Sequence, residues 1–151
     1  MKSIVICACE KVITDKSTGA VSLISVMKGA EAKFAIPSQP EPINIPPGEI
    51  PFNAVTANLW YVYAMWEGSP EDEGKQFEQV TEILWPNGER FLSNRLPFVF
   101  NDTLIAQNSV GSIGFPFGQK GNIKILAWIE QDRQRMCDPV EYEITVRHPQ
   151  N

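Results

Sequence analysis

Residues 77–96 read Phe77-Glu78-Gln79-Val80-Thr81-Glu82-Ile83-Leu84-Trp85-Pro86-Asn87-Gly88-Glu89-Arg90-Phe91-Leu92-Ser93-Asn94-Arg95-Leu96. Phe77 to Trp85 has the make-up of a strand, and Arg90 to Leu96 that of its return. Between them, Pro86-Asn87-Gly88-Glu89 predicts a hairpin turn with Asn-Gly at its centre, because both residues tolerate positive φ. An antiparallel hairpin is therefore expected in the middle of the chain.

Outward from this hairpin the same grammar repeats. Downstream, Thr103 to Val110 predicts a strand reaching towards Phe115-Pro116-Phe117, and Gly118 to Gly121 turns the chain. Ile123, Ile125, Ala127 and Ile129 then alternate on one face of a strand. Gln131 to Gln134 predicts the last tight turn. Arg135 to Cys137 begins the return, and Val140 to Arg147 completes it. Upstream, Gly68 to Gly74 is an acidic loop carrying Glu71, Asp72 and Glu73. Before it lies the longest strand candidate, Phe52 to Trp66. One face would carry Thr56, Asn58, Trp60, Val62, Ala64 and Trp66; the other would carry Val55, Ala57, Leu59, Tyr61, Tyr63 and Met65. From Leu59 onward both faces are apolar or aromatic, whereas a sandwich strand normally keeps one wet face. The outer face is therefore expected to be covered by a loop, another subunit or a ligand.

Nearer the start, Ser3 to Ile13 and Ala20 to Lys28 predict a second hairpin. Asp15 can accept backbone N–H bonds in the turn, and Gly19 can take positive φ. A short strand is possible at Ala32 to Ile36. Residues 37–51 hold six prolines. Each lacks an N–H and has a fixed φ, so this stretch predicts an extended connector between sheets. Pro37 and Pro40 also match P-x-x-P, but a stiff loop is the simpler reading. No repeat and no helix stands out. The expectation is one all-β domain over 1–151, a two-layer antiparallel sandwich of about eight or nine strands.

The chain has 151 residues, enough to bury a core without disulfides or metal. Its formal net charge of −5 disfavours nucleic acid, whose phosphates an acidic surface repels. No apolar run approaches membrane-spanning length. Three cysteines, Cys7, Cys9 and Cys137, are an odd set that suggests reduced thiols in a cytoplasm. The apolar run Ile4 to Ala8 is too short for a signal peptide.

The stretch Cys9-Glu10-Lys11-Val12-Ile13-Thr14-Asp15-Lys16-Ser17-Thr18-Gly19-Ala20-Val21-Ser22-Leu23-Ile24 resembles the opening of a bacterial family of small proteins known only as a domain of unknown function. That opening pairs C-x-x-V-I-x-D with T-G-x-x-S-L-I. Phe117 to Ile129, an aromatic followed by Gly121 and an alternating strand, is similar to the family's late pattern. Trp85-Pro86-Asn87-Gly88 is similar to the D-P-x-G turn of such sandwiches, with Trp in place of Asp. The proline-rich connector and acidic insert depart from the family. The resemblance implies an immunoglobulin-like sandwich and brings no activity and no catalytic residue.

Catalytic constellations lack parts. His148 is the one histidine, and no nucleophile elbow, phosphate loop or H-E-x-x-H is present. Cys137 would need His148 as its base. A zinc set of Cys7, Cys9, Cys137 and His148 is conceivable but not demanded by spacing. Glu71, Asp72 and Glu73 lack the alternating spacing of a calcium loop. The expectation is a non-enzyme with no cofactor and no metal. The candidate binding residues are the aromatics Trp60, Tyr61, Tyr63 and Trp66, with sandwich core as their competing role. The expected function is a protein-interaction or assembly module, self-association included. The alternative is a carbohydrate-binding module stacking sugars on Trp60 or Trp66; a metal-dependent enzyme is less favoured.

Overall fold

The computed structural model describes residues 1–31 and 50–148. The expected strand at 32–36 and residues 37–49 of the proline-rich connector lie outside the described residues. The elements are β1 (Lys2–Thr14), β2 (Val21–Val26), β3 (Gly29–Glu31), β4 (Leu59–Glu67), β5 (Gln76–Leu84), β6 (Arg90–Val99), β7 (Ile105–Ile113), β8 (Gly121–Gln131), β9 (Gln134–Arg135) and β10 (Val140–Arg147). A single 3₁₀ turn, Pro70–Asp72, interrupts the acidic loop.

Two sheets face each other, as expected of an all-β immunoglobulin-like sandwich. The first runs β2-β1-β4-β7 and the second β3-β10-β8-β5-β6, with β9 paired to β8. The chain crosses between sheets from β2 to β3, from β4 to β5, back from β6 to β7, and again from β7 to β8. Ten strands lie among the described residues, against about eight or nine expected for the chain. The pairing also departs from a purely antiparallel scheme: β3 lies parallel to β10, with Gly29 opposite Thr145.

Period-two alternation explains the core. Trp60, Val62, Ala64 and Trp66 of β4 point inward and meet Ile123, Ile125, Ala127 and Ile129 of β8 with Tyr142, Ile144 and Val146 of β10. Phe77, Phe98 and Phe100 pack together at one end, with ring centroids 5.2–5.9 Å apart. A polar clamp joins the sheets through this core. Gln79 Oε1 accepts from Trp66 Nε1 at 2.8 Å and from Asn108 Nδ2 at 3.0 Å, while Gln79 Nε2 donates to Thr81 Oγ1 at 3.0 Å. Every group in the clamp has a partner, as a buried network requires.

Several bounds differ from the sequence reading: β6 runs on to Val99, β7 spans Ile105–Ile113, and two further differences concern β4 and the central turn. The strand expected from Phe52 begins only at Leu59. Residues 54–58 instead bond the segment after β7: Thr56 N donates to Phe115 O, Gly114 N to Asn58 O, and Phe117 N and Gly118 N to Ala54 O. The Thr56 hydroxyl accepts from Phe115 N at 3.0 Å, replacing a ladder bond. The central hairpin turn is also shifted by one residue. Gly88 N bonds Trp85 O, and only Gly88 has positive φ, 90°. Pro86, with φ fixed near −65°, suits the second position of a type I turn that starts at Trp85. A register shift between Ile83 and Leu84 absorbs the extra residue.

Candidate functional site

The aromatic strand β4 divides its side chains as alternation demands, and the result corrects the notion of exposed tryptophans. Trp60 is 2% exposed and Trp66 fully buried. Trp60 Nε1 donates to Gly114 O at 2.8 Å, and its ring meets Phe115 edge-on at 5.3 Å. Neither indole offers a face to a sugar. Tyr61 and Tyr63 lie on the outer side. Tyr61 is half-buried against Gly111, where an added Cβ would approach its ring to 3.2 Å. Tyr63 is only 3% exposed despite its outward position.

The cover expected over this outer face is supplied, among the described residues, by the chain itself. β1 pairs with β4 as far as Cys9 opposite Tyr61, and beyond that pairs with β2 alone. Ser25 in β2 takes a left-handed φ of 56°, between the Cys9–Val26 and Lys11–Ile24 pairs. The hairpin tip returns across the outer face. Gly19 O accepts from Gln107 Nε2 at 3.4 Å, and Gln107 Oε1 accepts from the Tyr63 hydroxyl at 2.9 Å. Val12, Val21 and Leu23 pack half-buried against the cluster containing Cys7 and Tyr63. The turn itself forms as its residues dictate: Asp15 Oδ1 accepts from Ser17 N at 2.8 Å, Ser17 Oγ at 2.7 Å and Thr18 N at 3.3 Å.

Burial pushes the Cys7 and Cys9 thiols up from their ordinary range, and for Cys9 the neighbouring Cys7 adds to the effect. Thiols held protonated are poor nucleophiles. Cys137 lies elsewhere, its sulfur accepting from Ile129 N at 3.4 Å. His148 sits beyond the far end of β10, which over its eight residues is about 25 Å long. Nε2 of His148 donates to Phe117 O at 2.6 Å. The four residues considered for zinc are thus not brought together, and among the described residues no cluster of three or more His, Cys, Asp or Glu could hold a metal ion. Asp72 of the acidic loop is engaged by Ser69, whose N and Oγ both donate to Oδ2 at 2.8 Å.

Two surfaces remain outside the sequence reading. A shallow groove of about 400 Å³ opens between Phe52, Asn87, Lys120 and His148. Its floor is structural: Gln119 Oε1 accepts from Asn87 N at 3.1 Å. The second is an apolar corner at one end of the first sheet. Leu59 and Ile113 are cross-strand partners on the outer face, 49% and 82% exposed. Val55, also exposed, adjoins them beside Gly114. The corner continues along β7, the outer strand of its sheet, which carries no charged residue. Only the alternation of β7 could have signalled this, and it needed the register to show that Ile113 faces out. The outer face of the second sheet is its opposite in character. Arg95 sits 2.7 Å from Glu130 and 3.1 Å from Glu78, Arg90 pairs with Glu82, and Lys124 lies between Glu141 and Glu143. Arg135 stacks over Trp128 at 4.5 Å.

No family model matches the chain, and no curated protein matches it. The resemblance of residues 9–24 to the small bacterial family therefore stands on the motif alone. Among the described residues no helix is long and apolar enough to cross a membrane.

Proposed function

We propose that this chain is a non-catalytic protein-interaction module, an immunoglobulin-like member of a small bacterial family working in the cytoplasm. The observation that carries the reading is Ile113, 82% exposed beside half-exposed Leu59 on an uncharged strand. An isolated surface leucine is ordinary, but a contiguous apolar corner at a sheet edge is a common mark of a docking surface. Trp60 lies beneath it as core, and Tyr61 lies half-buried beside it. The acidic balance and the ion-paired opposite face favour a protein over a nucleic acid as partner.

Affinity capture from host extract tests this, comparing wild type with a Leu59→Glu/Ile113→Glu variant of unchanged circular dichroism. Both positions are exposed, so the fold should tolerate the charges. A partner retained by wild type and lost by the variant is the expected outcome. Identical captured sets would overturn the reading.

A further inference from the structure

Every sheet must manage its edge strands, whose free N–H and C=O groups invite another strand. Among the described residues, β6 and β2 carry their own edge defences. β3 is described over Gly29–Glu31, up to the end of that described stretch. β6 carries Arg90, Arg95 and Pro97, which cannot donate to a ladder. β2 is six residues long and kinked at left-handed Ser25. Among the described residues, β7 has none of these devices and no strand pairs with its outer edge. Its nine residues, Ile-Ala-Gln-Asn-Ser-Val-Gly-Ser-Ile, contain no proline and no charge, and they pair with β4 in an unbroken register from Ile105 opposite Glu67 to Ile113 opposite Leu59.

We infer that β7 is where a second copy of this chain adds to the first sheet, antiparallel and related by a two-fold axis at Ser109. This rests on the interaction-module reading and names its partner. Charge and register together point to a second copy. Two molecules each of net charge −5 repel, and the second sheet's outer face sets five carboxylates, Glu78, Glu82, Glu130, Glu141 and Glu143, against three cations, Arg90, Arg95 and Lys124. The β7 edge is where approach brings no charge against charge. About Ser109 the strand is self-complementary over its full length. Ile105 meets Ile113, Gln107 meets Gly111, and Ser109 meets Ser109, all on the outer face. The exposed Ile113 gains a cover in half-buried Ile105. An isologous contact of this kind closes at a dimer.

The test is mass in solution by size-exclusion chromatography with light scattering, over a hundredfold dilution of the full chain. Wild type is expected to run at twice 16.9 kDa at the concentrated end. Ser109→Lys and Ser109→Glu place like charges opposite each other across the axis, so each alone is expected to be monomeric. Their equimolar mixture is expected to regain the dimer mass, because Lys then faces Glu. Circular dichroism of each variant separates loss of dimer from loss of fold. Wild type that is monomeric throughout would overturn the inference, as would a dimer indifferent to both variants or an equimolar mixture that stays monomeric. None of these outcomes touches the wider reading, which falls only if the capture experiment shows no dependence on Leu59 and Ile113.

Discussion

Gly118 shows how closely one position is specified. A Cβ there would lie 2.5 Å from Phe52 O and 2.6 Å from Ala54 N, both backbone atoms that cannot step aside. Gly118→Ala is expected to cost roughly 3 kcal/mol or more, read from urea unfolding. The opposite case is the turn between β8 and β9. Asp132 and Arg133 both hold left-handed φ, 49° and 67°, as a two-residue type I′ hairpin requires. Arg133→Gly removes the steric cost of that φ and is expected to stabilise by about 0.5–1 kcal/mol, seen as a Tm rise of about 1–4 °C. Asp15 was fully legible, because a carboxylate two residues before its donors closes a turn locally. Trp60 was not. Alternation places it with Val62 and Trp66, but only the opposing sheet decides whether that face is core or surface.

At the scale of the element, the β1–β2 hairpin is both a strand pair and a lid. Its half-buried Val12, Val21 and Leu23 face the Cys7–Tyr63 region, while Ile13, Ile24 and Val26 stay exposed. Thiol reactivity reports on this arrangement. Native protein is expected to show one fast-reacting thiol, half-buried Cys137, and two slow ones, Cys7 and Cys9. Leu23→Asp is expected to speed the slow pair, by about tenfold for each 1.4 kcal/mol by which opening becomes easier. A rate unchanged by that substitution would mean the hairpin is not the cover. The hairpin strands themselves were readable from their β-branched residues and turn. Its fold back across the sheet was not, since it depends on a left-handed Ser25 and a bond from Gln107, 88 residues away from Gly19.

At the scale of the molecule, the two sheets are locked by apolar burial and by the Gln79 clamp. Gln79→Ala strands Trp66 Nε1 and Asn108 Nδ2 in the core and is expected to cost roughly 2–5 kcal/mol in equilibrium unfolding. Stability is also expected to fall at both ends of the pH range. The Trp128 indole N–H and then Arg95 hold the Glu130 carboxyl below its ordinary range, as Ser69 does for Asp72 and Ser17 for Asp15. As pH falls through the carboxylate range the unfolded chain takes up these protons first, so stability present at neutral pH is lost. At the alkaline end, burial raises Cys7, Cys9, Tyr63 and Tyr142. The unfolded chain then loses its protons first, so stability is full below the ordinary thiol range and declines as pH rises through and beyond it. Tm measured from pH 3 to 10 checks both arms, and Glu130→Gln is expected to flatten the acid one.

The sequence by itself determined what is local. Strand-forming runs, the Asp15 turn, the alternation of β8 and the all-β class follow from side-chain period and turn chemistry over a few residues. Tertiary structure decided everything that depends on which face meets which. It buried Trp60 and Trp66, laid the first hairpin over Tyr63, started β4 at Leu59 and left Ile113 bare at an uncharged edge. Alternation sorts residues into two faces but does not say which will be dry; that is settled when distant strands pair and exclude water from one side.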